Sequence, residues 1–199
     1  MAIHRNRMYI HSMYDGIKNS LVKFGALSEA QAAEITNRLR HLQFARGQFL
    51  IREGQVCQHF YFINSGSFRQ HTITDSGDEI TLNLWAENEW MFEHKSFITQ
   101  QASISNIEAC SDSEVFSLSV WDFHELVKAS DLFFRLGKIF EQAIQPNEYQ
   151  QNRLSPEEKY ELLLRNKPRI IQLFPLKHIA SYLGMTPETL SRVRKKIIS

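Results

Sequence analysis

The side chains best placed to do chemistry lie near the C-terminus, on a segment with helical spacing. Polar and basic residues occupy one face of it: Thr186, Glu188, Thr189, Ser191, Arg192, Lys195 and Lys196. Arginine can donate a bidentate pair of hydrogen bonds to guanine, and glutamate can accept one from cytosine N4. Because Glu188 and Arg192 are four residues apart, they share one helix face. The spacing predicts that both read base edges, with an ordinary i,i+4 salt bridge as the alternative.

The remaining polar residues of this face suit the backbone of a nucleic acid. Thr186, Thr189, Ser191 and Lys195 are predicted to contact phosphates, because a helix N-terminus offers free N–H groups and the positive end of the helix dipole. Lys196 belongs to the same basic set. Thr186 is also the expected N-cap, which is a purely structural role.

Two short helices and a turn are predicted to position this face. The first helix runs from about Leu176 to Leu183, and Gly184 follows where a left-handed residue ends a helix. Thr186-Pro187-Glu188 is a start signal for the second helix. The inward stripe of the two helices is apolar or small: Ile179, Ala180, Leu183, Leu190, Val193 and Ile197. This pattern is typical of a helix-turn-helix, with an ordinary helical hairpin as the alternative.

Charge is distributed unevenly along the 199-residue chain, although its net value is only +1. Residues 155–199 hold nine Lys or Arg and four Asp or Glu, which gives +5. The preceding 154 residues hold 14 basic and 18 acidic residues, which gives −4. Because phosphate binding is electrostatic, nucleic acid is predicted to dock on the C-terminal segment.

The composition argues against several other classes of protein. A membrane span is not expected, because no run of 18 apolar residues occurs. The N-terminus lacks the apolar region of a secretory signal, and Cys57 and Cys110 match no metal or disulfide pattern, so a cytoplasmic location is expected. The eight histidines include no His-x-His pair, and no nucleophile with its base stands out. We therefore expect no enzymatic activity, no cofactor and no metal.

Helical and strand patterns divide the preceding chain. Residues from about Tyr9 to Leu42 are predicted to be helical, with a capping box at Ser28 opening a helix over Glu29–Leu42. From Phe44 to Ser119, aromatic and β-branched residues alternate with polar ones between frequent turns, which is typical of an antiparallel barrel or jelly roll. Helices are predicted again from about Val120.

A longer helix is predicted to begin near Asp131. One side of it is apolar and would form a dimer interface in coiled-coil fashion, at Leu132, Leu136, Ile139 and Ala143. Packing of this stripe against the barrel is the alternative. Pro146 should kink or end the helix, and Ser155-Pro156 opens another that runs to about Asn166.

The order of these elements and two glycine-containing stretches resemble the Crp/Fnr family of bacterial transcription regulators, in the form common in Bacteroidetes. The stretches are Arg46–Gly54 and Tyr61–Gly66. The resemblance implies an α+β fold with a β-roll of jelly-roll type and flanking helices over 1–130. It implies a dimerisation helix over 131–153 and a small helix-turn-helix DNA-binding domain over 154–199. Double-stranded DNA and a second copy are the implied partners, and RNA polymerase and an unidentified small-molecule effector stay open.

The stretch Trp90–Ser105 resembles the phosphate cassette of the family's cyclic-nucleotide sensors. Glu93 matches the acid that holds a ribose hydroxyl, but Phe92 stands where the family has glycine. Ser103 and Ile104 stand where the family has an arginine and a hydroxyl residue. A buried phosphate without its bidentate arginine loses its main charge partner. We therefore expect an effector pocket at these four residues that does not bind cyclic AMP.

Two hypotheses from other classes remain open. One is a small-molecule-binding β-roll whose helix-turn-helix mediates protein contacts, and salt-dependent DNA binding would argue against it. The other is a cupin-like enzyme, since cupins share the double-sheet roll, but the metal-binding set of histidines and glutamate is missing. Bound metal with turnover would favour that second alternative.

Overall fold

The fold is an α+β arrangement built around an antiparallel β-roll, as predicted. The computed structural model of the protein describes residues 14–22, 28–129 and 153–198. The strands are β1 (Arg40–Phe44), β2 (Phe49–Ile51), β3 (His59–Ser65), β4 (Ser67–Ile73), β5 (Glu79–Ala86), β6 (Trp90–Met91), β7 (Asn106–Ala109) and β8 (Ser113–Ser119). They form two four-stranded sheets, with the orders β1-β8-β3-β6 and β2-β7-β4-β5.

Helices flank the roll and form the C-terminal part of the described chain. They are α1 (Asp15–Val22), α2 (Glu29–Thr36), α3 (His94–Thr99), α4 (Val120–Ala129), α5 (Pro156–Asn166), α6 (Ile170–Leu173), α7 (Leu176–Tyr182) and α8 (Pro187–Ile198). None of the helices in the described ranges is long and apolar enough to cross a bilayer. The predicted dimer interface, Leu132, Leu136, Ile139 and Ala143, lies outside the described residues.

Local capping signals fix the starts of two helices. The hydroxyl of Ser28 accepts from the Gln31 N–H, and the Gln31 side chain accepts from the Ser28 N–H. Ser155 and Glu158 form the same reciprocal pair at the start of α5. Each box satisfies two N–H groups that have no partner inside the helix. Both predicted starts are confirmed.

The helix predicted over Glu29–Leu42 is shorter than predicted. It ends at Thr36, where the Asn37 N–H donates back to the carbonyl groups of Ala33 and Ile35. Residues 40–44 form β1, which pairs with β8 along its length. The prediction was wrong there because pairing at a sheet edge overrides a weak helical preference. The Phe44 ring, edge-on to a core phenylalanine at 5.9 Å, anchors that end of the strand.

The space between the two sheets is filled mainly by aromatic side chains. Phe62, Phe68 and Phe116 are completely buried, and Phe60 stacks on Trp90 with 4.6 Å between ring centroids. Each such ring removes about 150–250 Å² from water, which makes this cluster the main source of hydrophobic stabilisation for the roll.

The chain passes from one sheet to the other between β3 and β4, and it turns this corner at Gly66, whose φ is 95°. A Cβ atom at this position would lie 2.0 Å from the Ser113 Oγ on β8. Both the left-handed backbone and the close approach of β8 therefore require glycine.

A second apolar core joins the outer face of β5 to the C-terminal helices. Leu84 and Ala86 contribute from β5. The buried helical members are Tyr160, Leu163, Ile170, Phe174, Ile179, Ala180, Tyr182, Leu183, Leu190 and Val193. The C-terminal helices therefore pack directly against the roll.

Candidate nucleic-acid interface

The helices α7 and α8, called the helix pair below, are joined by a tight turn. Gly184 has φ of 66°. The Met185 N–H donates to the Ala180 carbonyl at 2.9 Å, and the Gly184 N–H donates to the Ser181 carbonyl at 3.0 Å. This pairing is the Schellman arrangement, which requires a left-handed residue after the helix. The predicted role of Gly184 is confirmed.

The start of α8 is capped as predicted. The Thr186 Oγ1 accepts from the Thr189 N–H at 3.2 Å, and Pro187 follows as the first helical residue. Leu190 and Val193 are buried and hold α8 against its neighbours. Three- and four-residue steps between the buried side chains leave the opposite face of α8 outward.

A lysine from α5 braces the turn of the helix pair. Lys159 exposes only 8% of its surface, and its Nζ donates to the Leu183 carbonyl at 3.1 Å. That carbonyl belongs to the end of α7, where a helix lacks internal donors and carries partial negative charge. The sequence pattern did not single out this contact, because nothing in the local spacing relates α5 to the turn.

The outward face of α8 holds the residues predicted to read DNA. Five are exposed and two are half-buried: Thr186, Glu188, Arg192, Lys195 and Lys196, then Thr189 and Ser191. The pKa of Glu188 lies below its ordinary value, mainly because its own backbone N–H donates to the carboxylate. The carboxylate is therefore ionised at neutral pH and suited to accept a hydrogen bond from a base edge.

Arg192 is held by a threonine rather than by the nearby acid. Its Nη2 donates to the Thr189 Oγ1 at 3.3 Å, and the Thr186 hydroxyl donates to the same oxygen at 3.2 Å. Among the ion pairs of the described residues, none joins Glu188 to Arg192. The i,i+4 salt bridge considered as the alternative is therefore not formed, and the Thr189 hydroxyl is already engaged.

Lys196 is tied to a different helix. Its Nζ lies 3.0 Å from the Glu157 Oε1 in the first turn of α5. That hydrogen bond lowers the pKa of Glu157. The Lys196 side chain is still 73% exposed, so a phosphate contact would compete with this surface ion pair.

The predicted effector-pocket residues are mostly engaged with the protein itself. Glu93 is the N-cap of α3, and its carboxylate accepts from the Ser96 N–H. The Phe92 ring lies 5.1 Å from Phe60 and 5.2 Å from Phe97, measured between centroids. Ile104, in contrast, exposes 61% of its surface. The structure therefore does not gather the four residues into one buried lining.

Ser103 takes part in a local hydroxyl turn. Its Oγ donates to the Ser105 carbonyl at 2.8 Å and accepts from the Ser105 N–H at 3.1 Å. The Gln70 Nε2 donates to the Ser105 Oγ at 2.8 Å. Both serines are buried. At the position where the family resemblance places a phosphate-binding arginine, this chain has a self-satisfied hydroxyl network without a positive charge.

A buried arginine on the outer face of β4 was not predicted as a functional residue. Arg69 exposes 3% of its surface. Its Nη2 lies 2.7 Å from carboxylate oxygens of both Glu79 and Glu108. Its Nη1 lies 2.6 Å from the Nδ1 of His178 on α7. Only the sheet register and the packing of α7 bring these four side chains together, so no local signal could have found them.

The two histidines near Arg69 are held neutral. Burial and the nearby charge of Arg69 lower the pKa of His178 to about 4. The same two causes lower the pKa of His71, whose buried Nδ1 has no hydrogen-bond partner within the described ranges. A neutral His178 can accept the hydrogen bond from Arg69 at its Nδ1.

The two cysteines are poor nucleophiles. Burial raises the pKa of Cys57 to about 11 and that of Cys110 to about 11. No group of three or more His, Cys, Asp or Glu side chains that could hold a metal occurs in the described part of the chain.

The family model of the cyclic nucleotide-binding domain matches residues 41–130. This range begins within β1 and includes the rest of the roll with α3 and α4. No curated protein sequence matches the chain.

Solved structures resemble a larger part of the chain. The catabolite activator protein of Thermus thermophilus has a TM-score of 0.56 and 19% identity, covering 90% of this chain and 86% of that one. FixK2 of Bradyrhizobium japonicum has a TM-score of 0.65 and 14% identity, covering 80% and 84%. A provisionally assigned crp/fnr-family transcriptional regulator from Eubacterium rectale has a TM-score of 0.54 and 19% identity, covering 86% and 84%. At these identities the likeness is one of fold.

Proposed function

We propose that this chain, whose cyclic nucleotide-binding domain resembles that of Crp/Fnr regulators, is a sequence-specific DNA-binding transcription regulator. Residues 1–130 are the sensor domain, 131–153 the dimerisation segment and 154–199 a helix-turn-helix DNA-binding domain. A regulator of this kind acts in the cytoplasm, where the DNA is.

One observation carries the proposal. The outward face of α8 presents an acid suited to cytosine, Glu188, beside a guanidinium suited to guanine, Arg192, and both are exposed. The N-terminus of α8 is capped by Thr186 and faces solvent, so the positive end of its dipole can attract a phosphate. Lys195 and Lys196 add positive charge one turn further along.

The direct test is a selection of binding sites from random duplex DNA by the full chain, followed by fluorescence anisotropy at several salt concentrations. We expect one enriched motif and an affinity that falls steeply with salt. Arg165→Gln serves as the charge control, because Arg165 is exposed on α5 and lies outside the predicted reading face. No enrichment with the full chain would contradict the proposal and favour the protein-contact alternative.

We propose that the roll binds a neutral or apolar effector, or that it binds no effector. The Glu93 carboxylate caps α3, and the Ser103 hydroxyl is satisfied by Ser105. A phosphodiester placed here would lose its hydration without gaining a guanidinium partner, which costs several kcal/mol.

A two-fold dimer is proposed through the apolar stripe of Leu132, Leu136, Ile139 and Ala143. A single recognition helix buries little surface on DNA. Proteins of this kind therefore usually form dimers that bind two half-sites about one helical turn apart. Light scattering of the full chain at micromolar concentration tests this, and a monomer that binds DNA tightly would contradict it.

A further inference from the structure

Two amide side chains lie next to each other in the sheet with the order β2-β7-β4-β5. Gln70 of β4 and Asn83 of β5 are directly opposite in the antiparallel pairing. Residues in such positions share one face of the sheet, with Cβ atoms about 4.5–5.5 Å apart. Two residues away on the same face, Phe68 pairs with Trp85, and both rings belong to the core between the sheets. Because side chains alternate along a strand, the two amides also face the inside of the roll.

Each amide uses only part of its hydrogen-bonding capacity within the protein. The Gln70 Nε2 donates to the Ser105 Oγ at 2.8 Å, which leaves the Gln70 Oε1 as an acceptor. The Asn83 Oδ1 accepts from the Leu84 N–H at 2.9 Å, which leaves the Asn83 Nδ2 as a donor. Neither of these two remaining atoms bonds to another group among the described residues.

The two remaining atoms are accessible rather than enclosed. Gln70 and Asn83 are both half-buried, and neither atom is among the fully buried side-chain atoms that lack a partner in the described ranges. Each amide is held by its own neighbour, and no hydrogen bond joins the two within this part of the chain. An acceptor and a donor therefore lie side by side on neighbouring strands, and both are open to a ligand.

The neighbours of this amide pair on the inner face are uncharged. The next pair along the strands is Thr72 with Ile80, and the Thr72 Oγ1 donates to the Ile104 carbonyl at 3.2 Å. Ile80 exposes 38% of its surface and Ile104 exposes 61%, so apolar side chains are available beside the amides. On the other side of β4, Gln70 pairs with the buried Ile107. An ion placed here would lose its hydration without gaining a partner of opposite charge.

We propose that Gln70 and Asn83 form a binding site for a neutral molecule that carries a carboxamide or lactam group on an apolar body. Such a group presents an acceptor beside a donor. Its carbonyl oxygen accepts from the Asn83 Nδ2, and its N–H donates to the Gln70 Oε1. The apolar body lies against Ile80. The inference rests on the proposed function, because it gives a chemical class to the effector of the sensor domain.

Benzamide is the probe for this site, because it carries one carboxamide on an apolar ring. Three molecules of similar size test the recognition. N,N-Dimethylbenzamide keeps the carbonyl oxygen but has no N–H to donate, benzoate is an anion, and benzamidinium has donors only. Binding is followed by NMR titration of the isotope-labelled full chain, through the side-chain amide signals of Gln70 and Asn83.

On the wild type, benzamide should shift both side-chain amide signals in a saturable way. For a probe of this size we expect a dissociation constant on the order of 1 mM. N,N-Dimethylbenzamide should bind about tenfold more weakly, because it covers the Gln70 Oε1 without offering a donor. Benzoate and benzamidinium should also bind about tenfold more weakly or worse, since each loses the hydration of a charge.

Asn83→Asp should invert this selectivity. The variant keeps the acceptor for the Leu84 N–H but replaces the Nδ2 donor by a second acceptor. Benzamide should bind it about tenfold more weakly than the wild type, and benzamidinium about tenfold more tightly. Gln70→Met should weaken benzamide by a similar factor. Gln172→Met makes the same replacement at an exposed position of α6 and should leave benzamide binding unchanged.

The titration contains no DNA, so its outcome is independent of the DNA selection that tests the proposed function. Absence of saturable shifts at millimolar benzamide, or equal binding of benzamide and N,N-dimethylbenzamide, would overturn the inference. An Asn83→Asp chain that still prefers benzamide to benzamidinium would overturn it too. If either variant fails to fold, the four probes on the wild type decide. A chain that selects no DNA motif but binds benzamide selectively would refute the proposed function and still support the amide site.

Discussion

At the scale of single residues, Arg192 carries the sharpest expectation. Arg192→Ala should cost about 1–3 kcal/mol on the selected site and relax the preference at one base pair, because the guanidinium is predicted to donate to guanine. Competition anisotropy on duplexes that differ at each position measures this. Arg165→Gln is the control for charge alone. An unchanged preference at every position would contradict the assignment.

Thr189 should act on base preference through Arg192. Its Oγ1 receives hydrogen bonds from Arg192 and Thr186, so the hydroxyl restricts the guanidinium before DNA arrives. Thr189→Val keeps the shape but removes this acceptor, and it should relax the preference at the base pair read by Arg192. Thr189→Ser should restore that preference, as judged by the same competition assay. A loss that is equal on all sequences would instead support the phosphate contact predicted from the sequence.

His178 should make the packing of α7 against the roll sensitive to acid. Its pKa is lowered to about 4 by burial and by Arg69 and Lys177, while Glu79 raises it and His71 lowers it further. In the unfolded chain, His178 would titrate near its ordinary pKa of 6.5. The unfolded state therefore binds the extra proton. The contribution of His178 to the free energy of unfolding should therefore be constant above about pH 6.5 and fall as the pH drops from there towards about 4.

The measurement is urea unfolding of the wild type and of His178→Asn across that pH range. Asparagine keeps a short acceptor for Arg69 but cannot be protonated. The difference between the two free energies of unfolding should change below about pH 6.5, with the wild type losing more stability. A constant difference down to about pH 4 would argue against this account.

At the scale of elements, the corner between β3 and β4 should tolerate no side chain at Gly66. Gly66→Ala would place a Cβ 2.0 Å from the Ser113 Oγ and 2.8 Å from the Ser113 Cα. Gly47, also at positive φ, has no atom within 4 Å of such a Cβ. Gly47→Ala should cost about 1–2 kcal/mol for its backbone alone, and Gly66→Ala on the order of 3 kcal/mol or more. Similar costs in urea unfolding followed by tryptophan fluorescence would contradict the clash.

The elements whose signals are local could be predicted from the sequence. The caps at Ser28, Ser155 and Thr186 and the turn at Gly184 each depend on a few neighbouring residues, and all four are present. The end of α2 could not be predicted, because residues 40–44 are drawn into β1 by a partner strand that lies far along the chain, at Ser113–Ser117. Sheet pairing of this kind leaves little trace in a short window.

The candidate site divides in the same way. The outward face of α8 follows from helical spacing, so the residues that lie on this face could be predicted, and their contacts with DNA stay a prediction. The cluster around Arg69 depends on the register of β4 and on the packing of α7. Neither can be inferred from the spacing of residues that are close together in the sequence. The pocket residues were predicted from a resemblance, and three of their side chains are engaged in capping α3, in aromatic packing and in a serine turn.

At the scale of the whole molecule, cyclic AMP should not bind to the roll or change its affinity for DNA. The fold of the cyclic nucleotide-binding domain is present, but the cassette lacks the arginine that would pair with the phosphate, and Lys95–Cys110 contains none. Calorimetry of the full chain should detect no binding at micromolar concentrations. A dissociation constant of about 10 μM or tighter, roughly −7 kcal/mol, would contradict this.

The raised pKa of both thiols has a practical consequence for labelling. Thiolate is the reactive form, and with a pKa of about 11 at Cys57 and Cys110 roughly one thiol in ten thousand is ionised at pH 7. A cysteine introduced at the exposed Arg165 would have an ordinary pKa of about 8.5 and roughly a few hundred times more thiolate. A maleimide dye would therefore attach there selectively, and the native chain serves as a labelling background without removal of its own cysteines.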